Sequence, residues 1–323
     1  MTILKHSLSF IKINVFLRYL ILLIIFILSI IIGNFYDSGD QINYTNSYNA
    51  IAGRDIFSAY LLYTYFINAA EIIHFLVTWL GSSLGISKVL LMAIFNTFLG
   101  SLVINLFDKL KVNFYVTISF LLTNFYIYVI FFGAERLKFG IIFFLLSLIY
   151  SDKVYHRTIF FILSILSHLQ SLIFYSGYFV KLFIQKFNWF LRSLKIKWIY
   201  VLAFPFFLIF LSIIQSAFFS KVLAYQGERS ALDFLRLLIF FLMSLYYSKS
   251  YKNTCFSFLP LFFGVLLVGG ERINMIGYMF FLFNALQYRN GLNIGILITT
   301  IYYFYMSYNF ISNIILTGNG FNV

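Results

Sequence analysis

The chain has 323 residues, of which 62% are hydrophobic and only 10% are charged. Soluble domains carry about 25% charged residues, so this composition excludes a soluble globular enzyme. It also excludes a disordered chain, because such chains are polar and this one is 22% aromatic. We therefore expect an all-α, polytopic integral membrane protein with about nine to twelve transmembrane helices and short re-entrant segments. These elements are expected to form one membrane domain over residues 1–323.

Apolar runs follow one another along the chain, several of them shorter than the about 20 residues of a full crossing. They cover residues 19–33, 88–107, 113–132, 137–150, 158–180, 198–219, 234–247, 255–269, 273–287 and 293–316. Lys5, Lys12 and Arg18 precede the first run, which places its beginning inside because cytoplasmic ends of spans collect Lys and Arg. Residues 34–58 are then expected to form an outer loop.

Two segments fit the charge pattern best as re-entrant pairs of helices. If residues 59–87 dip into the outer face instead of crossing fully, Lys109 and Lys111 lie inside. Basic residues flank the run 158–180 on both sides, and two full crossings would need about 40 residues. His168 is therefore expected near the apex of a second re-entrant pair. With both assignments, the inner side carries the whole net charge of +13 and the outer side is neutral.

The first candidate site residues lie in the predicted outer loop. Asp37 and Asp40 follow the first run, and Asp40, Tyr44 and Tyr48 are spaced so that they share one face of a helix. A carboxylate beside aromatic rings could bind a sugar, because the carboxylate accepts hydroxyl hydrogen bonds and the rings pack on apolar sugar faces. The alternative is an interfacial helix whose tyrosines belong to an aromatic belt.

Three further candidates combine charge with a position at the predicted outer face. Glu71 precedes a short apolar segment that contains His74, and it could act as a general base or as a charge at a helix N-terminus. Arg136 opens a later run, where it could hold a phosphate with its forked guanidinium or pair with another helix. His168 could contact a phosphate or transfer a proton, or it could form a structural hydrogen bond.

Arginines also accompany the last candidate cluster, in which Arg229, Arg272 and Tyr278 are the residues of interest. Several arginines on one face suit a pyrophosphate, whose charge needs several donors. The sequence contains no phosphate loop, GxSxG elbow, HExxH helix or His/Cys metal cluster, so we expect no metal and no cofactor. The basic excess follows the positive-inside rule, and we expect no nucleic acid as a partner.

These residues, in this order, resemble the Wzy-type bacterial polysaccharide polymerases, especially the EpsG-like branch. The resemblance covers about residues 33–280 and rests on Gly39-Asp40 with Tyr44 and Tyr48, then Glu71, Arg136, His168 with Ser171, and Arg272 with Tyr278. It implies an enzyme of the bacterial inner membrane whose active site faces the periplasm or exterior. Such an enzyme transfers a glycan from undecaprenyl pyrophosphate to the non-reducing end of another lipid-linked repeat unit.

The resemblance also implies roles and partners. Arg136 and Arg272 would hold the pyrophosphate with help from His168, and either Glu71 or Asp40 would accept the proton of the attacking hydroxyl. Substrate binding would fall to the remaining candidates, which are Asp37, Tyr44, Tyr48, Arg229 and Tyr278. The expected partners are an undecaprenyl-pyrophosphate-linked oligosaccharide and the lipid bilayer, with a chain-length regulator as a further partner.

Three other functions remain open at this point. A repeat-unit flippase or another transporter would show internal repeats and charges near the midplane of the membrane, and neither is evident in the sequence. An O-antigen ligase would share much of a polymerase's chemistry and differ in its acceptor. A membrane acyltransferase would centre on a histidine with a nearby carboxylate, for which His74 and Glu71 are the candidates.

Overall fold

The computed structural model describes residues 13–168, 170–177, 180, 231–268 and 270–321. The regular secondary structure in these ranges is helical, which confirms the predicted all-α class. The described residues group into two compact units, of which the first is drawn from Met1–Ser171 and Leu286–Val323 and the second from Leu172–Ala285. The single membrane domain over residues 1–323 stays a prediction.

The first unit contains most of the described helices. They are α1 (Val15–Phe35), α2 (Asp40–Ile51), α3 (Ile56–Ile67), α4 (Ile72–Ser83), α5 (Lys88–Lys109), α6 (Phe114–Thr123), α7 (Phe125–Tyr128), α8 (Glu135–Ile149), α9 (Val154–Ser167) and, after the second unit, α13 (Ile294–Thr317). A π-helical turn at Val129–Gly133 continues α7. The second unit is described as α10 (Ala231–Tyr247), α11 (Tyr251–Val268) and α12 (Gly270–Leu286), the last of which ends at the boundary between the units.

Within the described ranges, three helices are long and apolar enough to cross a membrane. They are Val15–Phe35 (α1), Lys88–Lys109 (α5) and Arg289–Thr317, which consists of α13 and the short helical turn before it. The number rises to five if two bent pairs each form one span: Ile56–Ile67 with Ile72–Ser83, bent by 114°, and Phe114–Thr123 with Phe125–Gly133, bent by 54°. These helices are consistent with a membrane protein.

The nine to twelve predicted crossings are not confirmed. One reason is length, because α8, α9, α10 and α12 have 15, 14, 17 and 17 residues, and a full crossing takes about 20. A second reason is a break inside an apolar run. The run 113–132 is interrupted at Asn124, whose backbone is extended and whose side chain accepts the backbone N–H of Tyr126. The predicted run 198–219 lies outside the described residues.

The two predicted re-entrant segments both contain a break. Asn68 ends α3 in the left-handed conformation, with φ of 50°, and α4 begins at Ile72. His168 is extended after the end of α9, and residues 171–177 are again helical. A bend of this kind suits either a broken span or a re-entrant pair, so both re-entrant assignments stay predictions.

Helix α1 is apolar on all sides. Ile21 and Ile25 are buried against neighbouring helices, and α1 packs chiefly on α5, where Gly100 lets Ile25 approach the helix closely. Leu23 and Ile27, by contrast, are about half exposed. A helix with apolar residues around its whole circumference is typical of a membrane span, because its outer face contacts lipid rather than water.

Helix ends in the first unit meet in two groups that match the predicted sides. Lys109, at the end of α5 and predicted inside, donates to the carbonyl of Ile149 at 2.8 Å and lies 3.3 Å from the carboxylate of Asp152. Ser38, in the predicted outer loop, donates its backbone N–H to the carbonyl of Gly318 at 3.0 Å. Which group faces the cytoplasm stays a prediction.

Candidate functional site

Four residues that lie far apart in sequence meet in the first unit. The Nη1 atom of Arg136 lies 3.1 Å from each carboxylate oxygen of Glu71. The Nδ1 atom of His168 lies 2.8 Å from Glu71 Oε1, and the Nε atom of Arg136 donates to the hydroxyl of Tyr44 at 3.0 Å. We call Tyr44, Glu71, Arg136 and His168 the arginine cluster. All four were sequence-predicted site residues, and the structure brings them together.

The bend between α3 and α4 places Glu71. Because Asn68 ends α3, the chain turns and Glu71 becomes the residue that precedes α4. A glutamate here could cap the new helix, but its side chain makes no capping hydrogen bond. The carboxylate instead reaches Arg136 and His168, and its side chain is 12% exposed. The structure thus places the Glu71 carboxylate against a cation and a histidine, and its role as a general base stays a prediction.

A π-helical turn at Val129–Gly133 precedes the helix that carries Arg136. A π turn offsets the backbone hydrogen bonds of a helix and is frequent at functional sites. Two carbonyls of this turn accept side-chain donors, since Phe132 O bonds Gln41 Nε2 at 2.8 Å and Phe131 O bonds Lys138 Nζ at 2.9 Å. These bonds tie α2 and α8 to the turn and fix where α8 begins.

Close packing of α8 and α9 positions His168. The hydroxyl of Ser164 on α9 donates to the carbonyl of Gly140 on α8 at 2.8 Å. A Cβ atom at Gly140 would overlap the hydroxyl of Ser171 and lie 3.5 Å from the Cβ of His168. Glycine at this position therefore lets the segment around His168 approach α8, from which its ring reaches Glu71.

A second group of charges adjoins the arginine cluster. Glu135 Oε1 lies 3.2 Å from Lys88 Nζ, which also donates to Gln41 Oε1 at 2.6 Å. His74 Nε2 lies 3.9 Å from Glu135 Oε2, and the hydroxyl of Tyr63 lies 2.9 Å from His74 Nδ1. We call these residues the lysine network. Glu135 and His74 are almost fully buried.

Sequence reasoning missed Lys88, Gln41 and Lys138. Lys88 is a basic residue at the predicted outer end of a span, where the positive-inside rule disfavours one. Lys138 lies inside an apolar run, and its side chain is fully buried. The sequence positions of Lys88 and Lys138 could have marked them as candidates, because a lysine in apolar surroundings needs a partner. Gln41 carried no such signal.

Tyr44 joins the arginine cluster to the lysine network. Its ring centroid lies 5.5 Å from Lys88 Nζ and 6.0 Å from Arg136 Cζ, within the range of a cation–π contact. Its hydroxyl accepts from Arg136, and its side chain is buried. Tyr44 therefore supports the two cations, while its predicted contact with sugar stays a prediction.

The combined charges favour an anionic ligand at Arg136. This part of the first unit holds three cations, Lys88, Arg136 and Lys138, and two carboxylates, Glu71 and Glu135. The Arg136 side chain is 20% exposed. Among the described residues it is held through Nε and Nη1, which leaves the Nη2 donors for a ligand.

The other predicted residues of α1 and α2 lie around this centre. Asp37 and Asp40 are exposed, and the hydroxyl of Ser38 donates to Asp37 Oδ1 at 3.0 Å. Within the described residues, neither carboxylate joins the hydrogen bonds of the arginine cluster. Tyr48 is buried, and its hydroxyl donates to the carbonyl of Ile86 at 2.7 Å. The roles assigned to Asp37, Asp40 and Tyr48 stay predictions.

Two predicted residues belong to the second unit and one lies outside the described residues. Arg272 is exposed in the first turn of α12. Tyr278 is buried, and its ring packs against Phe240 with the centroids 5.6 Å apart. Arg229 falls in the range that the structure does not describe. Their predicted contacts with substrate stay predictions.

A cavity of about 440 Å³ is lined by Glu135, the residue that precedes Arg136. Its lining includes Lys88, Glu135 and a set of amide, hydroxyl and phenol side chains, among them Asn34, Tyr36, Gln41, Thr45, Tyr48, Asn49 and Asn96. Such a lining can form many hydrogen bonds and is suited to a polar ligand.

Comparison with known proteins adds no relative. No family model matches the chain, and no curated protein and no solved structure matches it significantly. Among the described residues, no group of three or more His, Cys, Asp and Glu side chains is placed to hold a metal ion. The carboxylates of the site contact cations and histidines of the chain itself.

Proposed function

We propose that this protein is a membrane polysaccharide polymerase of the Wzy type. It would act at the outer face of the bacterial inner membrane and use an undecaprenyl-pyrophosphate-linked glycan as donor. The observation that carries the proposal is the arginine cluster, in which a partly exposed arginine, a carboxylate and a histidine from separate helices form direct contacts. Glycosyl transfer from a lipid pyrophosphate needs these groups, because a charged leaving group must be stabilised and a hydroxyl proton must be removed.

Arg136 serves the leaving group in this scheme. A guanidinium matches the geometry of phosphate oxygens and can donate two parallel hydrogen bonds. The contacts with Tyr44 and Glu71 hold the side chain in place, so that little reorganisation is needed when charge develops on the pyrophosphate. The role that the resemblance implies for Arg272 stays a prediction.

Glu71 serves the attacking hydroxyl. The hydroxyl oxygen of the acceptor sugar forms a bond to the anomeric carbon of the donor glycan. The bond from that carbon to the pyrophosphate oxygen breaks, and its electron pair leaves with undecaprenyl pyrophosphate. The hydroxyl proton passes to the Glu71 carboxylate, whose orientation is fixed by His168 at 2.8 Å. His168 is therefore a positioning residue for Glu71.

The geometry around His74 argues against the acyltransferase alternative. That reaction would need His74 to face a carboxylate at an accessible site. His74 is instead buried, with Tyr63 at one ring nitrogen and Glu135 at the other. The nearest partners of Glu71 are Arg136 and His168.

The test uses Arg136→Ala, Arg136→Lys and Arg272→Ala in cells that make the polysaccharide. Arg136→Ala is expected to abolish long glycan ladders, whereas Arg136→Lys keeps the charge but loses the fork and leaves short ladders. Arg272→Ala is expected to shorten the ladders as well. Arg157→Ala is the matched control, because Arg157 is exposed on α9 and outside the site. Wild-type ladders in Arg136→Ala, at normal protein abundance, would refute the proposal.

Deletion of the gene separates the polymerase from its rivals. Single repeats capped on the lipid A core indicate that a polymerase was lost. Long undecaprenyl-linked chains that are never transferred indicate a ligase. Lipid-linked repeats that accumulate on the cytoplasmic side indicate a flippase.

A further inference from the structure

We propose that the cavity beside the arginine cluster binds an uncharged sugar unit of the glycan. The inference deepens the proposed function and rests on it, because it names the part of the substrate that this site takes. The cavity measures about 440 Å³, within the roughly 300–1,000 Å³ of typical ligand pockets.

The lining matches the hydrogen-bonding character of sugar hydroxyls. Each hydroxyl both donates and accepts, and amide side chains offer both partners in one group. Asn34 and Asn49 supply amides and Thr45 supplies a hydroxyl, and all three are exposed residues that line the cavity. A purely anionic ligand would instead need a wall rich in donors.

Asn96 adds a buried acceptor to this wall. Its side chain is 1% exposed and lines the cavity from α5. Its Nδ2 donates to the hydroxyl of Ser29 at 3.1 Å, whereas its Oδ1 has no hydrogen-bond partner among the described residues. A buried acceptor left without a donor is unfavourable, so this oxygen is suited to a ligand hydroxyl.

The charge of the cavity selects against acidic sugars. Among its described lining residues the charged side chains are Lys88 and Glu135, which pair with each other at 3.2 Å. The pair leaves no net charge to balance a uronate or a phosphorylated sugar. An uncharged sugar brings no such demand, and the phenol side chains of Tyr36 and Tyr48 provide surface for its apolar faces.

The position of the cavity relates it to the reaction. Glu135 and Arg136 are consecutive residues at the start of α8, and Glu135 lines the cavity while Arg136 belongs to the arginine cluster. Tyr44 contacts both Lys88 and Arg136. A sugar in the cavity would therefore lie beside the groups proposed to act on the pyrophosphate and the hydroxyl.

Two substitutions on α2 form a matched pair for the test. Asn49 lines the cavity, and Asn46 does not, yet both are exposed asparagines on the same helix. Asn49→Leu replaces an amide of the cavity wall with an apolar side chain, and Asn46→Leu makes the same change outside the cavity. Neither removes a buried contact, so both proteins are expected to fold.

The probe is the oligosaccharide released by mild acid from the lipid-linked glycan of the producing cells. Saturation-transfer NMR with the protein in nanodiscs measures binding without turnover and shows which sugar unit contacts the protein. We expect the strongest transfer on an uncharged unit, at least about tenfold weaker binding by Asn49→Leu, and wild-type binding by Asn46→Leu. A difference of tenfold corresponds to about 1.4 kcal/mol.

The outcomes separate this inference from the proposed function. Strongest transfer on an acidic sugar unit, or equal binding by Asn49→Leu and wild type, would overturn the cavity assignment even if polymerisation occurs. Binding that Asn49→Leu abolishes, in a protein that forms no glycosidic bond, would support the cavity and overturn the polymerase. No binding by the folded wild-type protein would overturn the cavity assignment alone.

Discussion

Replacement of Glu71 by glutamine is the most revealing single change in the site. The substitution keeps the size and shape of the side chain but removes its negative charge. Glutamine cannot accept a hydroxyl proton, and it offers Arg136 and His168 a neutral oxygen in place of a carboxylate. The change therefore tests both proposed roles of Glu71, as the base and as the anchor of the cluster.

The expected magnitudes follow from the geometry. Removal of a general base lowers rates by about 10²–10⁴-fold, so polymerisation by Glu71→Gln is expected to fall into that range. Loss of the charged hydrogen bonds at 3.1 Å and 2.8 Å is expected to cost stability of about 1.5–3 kcal/mol. A fully buried pair would cost more, but the side chains of Glu71 and Arg136 are 12% and 20% exposed.

Glycan ladders in cells measure the rate, and thermal unfolding of the purified protein measures the stability. Asp152→Asn is the matched control because it also turns a carboxylate beside a cation into an amide. Asp152 lies 3.3 Å from Lys109, but its side chain is 87% exposed. Exposed pairs contribute little, so we expect wild-type ladders and nearly unchanged unfolding from this control.

One result for Glu71→Gln would contradict both proposed roles of this carboxylate. Long ladders made by Glu71→Gln, at the abundance of wild-type protein, would show that this carboxylate neither accepts the proton nor holds the arginine in its working position. A stability loss equal to that of Asp152→Asn would show that the contacts of Glu71 contribute no more than an exposed pair.

Three further predictions concern the support of the site. Gly140→Ala should shift His168 through the contact with Ser171 and shorten ladders without loss of membrane insertion, and unchanged ladders would contradict this. Lys88→Met should lower the unfolding temperature because it leaves the buried charge of Glu135 without its lysine partner. Adding Glu135→Gln to that variant should restore part of the lost unfolding temperature, and no restoration would contradict the pairing. The hydrogen bond from the Ser58 N–H lowers the pKa of Asp55. Asp55→Ala should therefore destabilise the protein at neutral pH, and the loss should shrink as the pH falls below about 4 and the wild-type carboxylate is protonated. Thermal unfolding at several pH values measures this difference, and a loss that does not change with pH would contradict the prediction.

Some of the site could be predicted because its residue types are costly in a membrane. Glu71, Arg136 and His168 stood out as ionisable groups in apolar surroundings, and the structure brings them into contact. Asp40, Tyr44 and Tyr48 also lie on one helix, α2, as their spacing predicted. What spacing could not show is that Tyr44 faces Arg136 while Asp40 is exposed.

The rest depended on tertiary contacts. The partner of Glu135 is Lys88, 47 residues earlier, and sequence alone does not tell which helix ends are neighbours. The number of crossings is not confirmed, and one reason is local. A continuous apolar run looks like one span, but Asn124 can satisfy backbone groups with its side chain and break the helix. Hydrophobicity alone does not reveal such a break.

The arginine cluster is proposed to couple bond formation to release of undecaprenyl pyrophosphate. The most direct test reconstitutes the purified protein in nanodiscs with one lipid-linked repeat unit and counts glycosidic bonds and released carrier together. We expect one carrier to be released for each bond formed by the wild-type protein, and neither product from Arg136→Ala. Carrier release without chain growth, or chain growth that Arg136→Ala leaves unchanged, would contradict it.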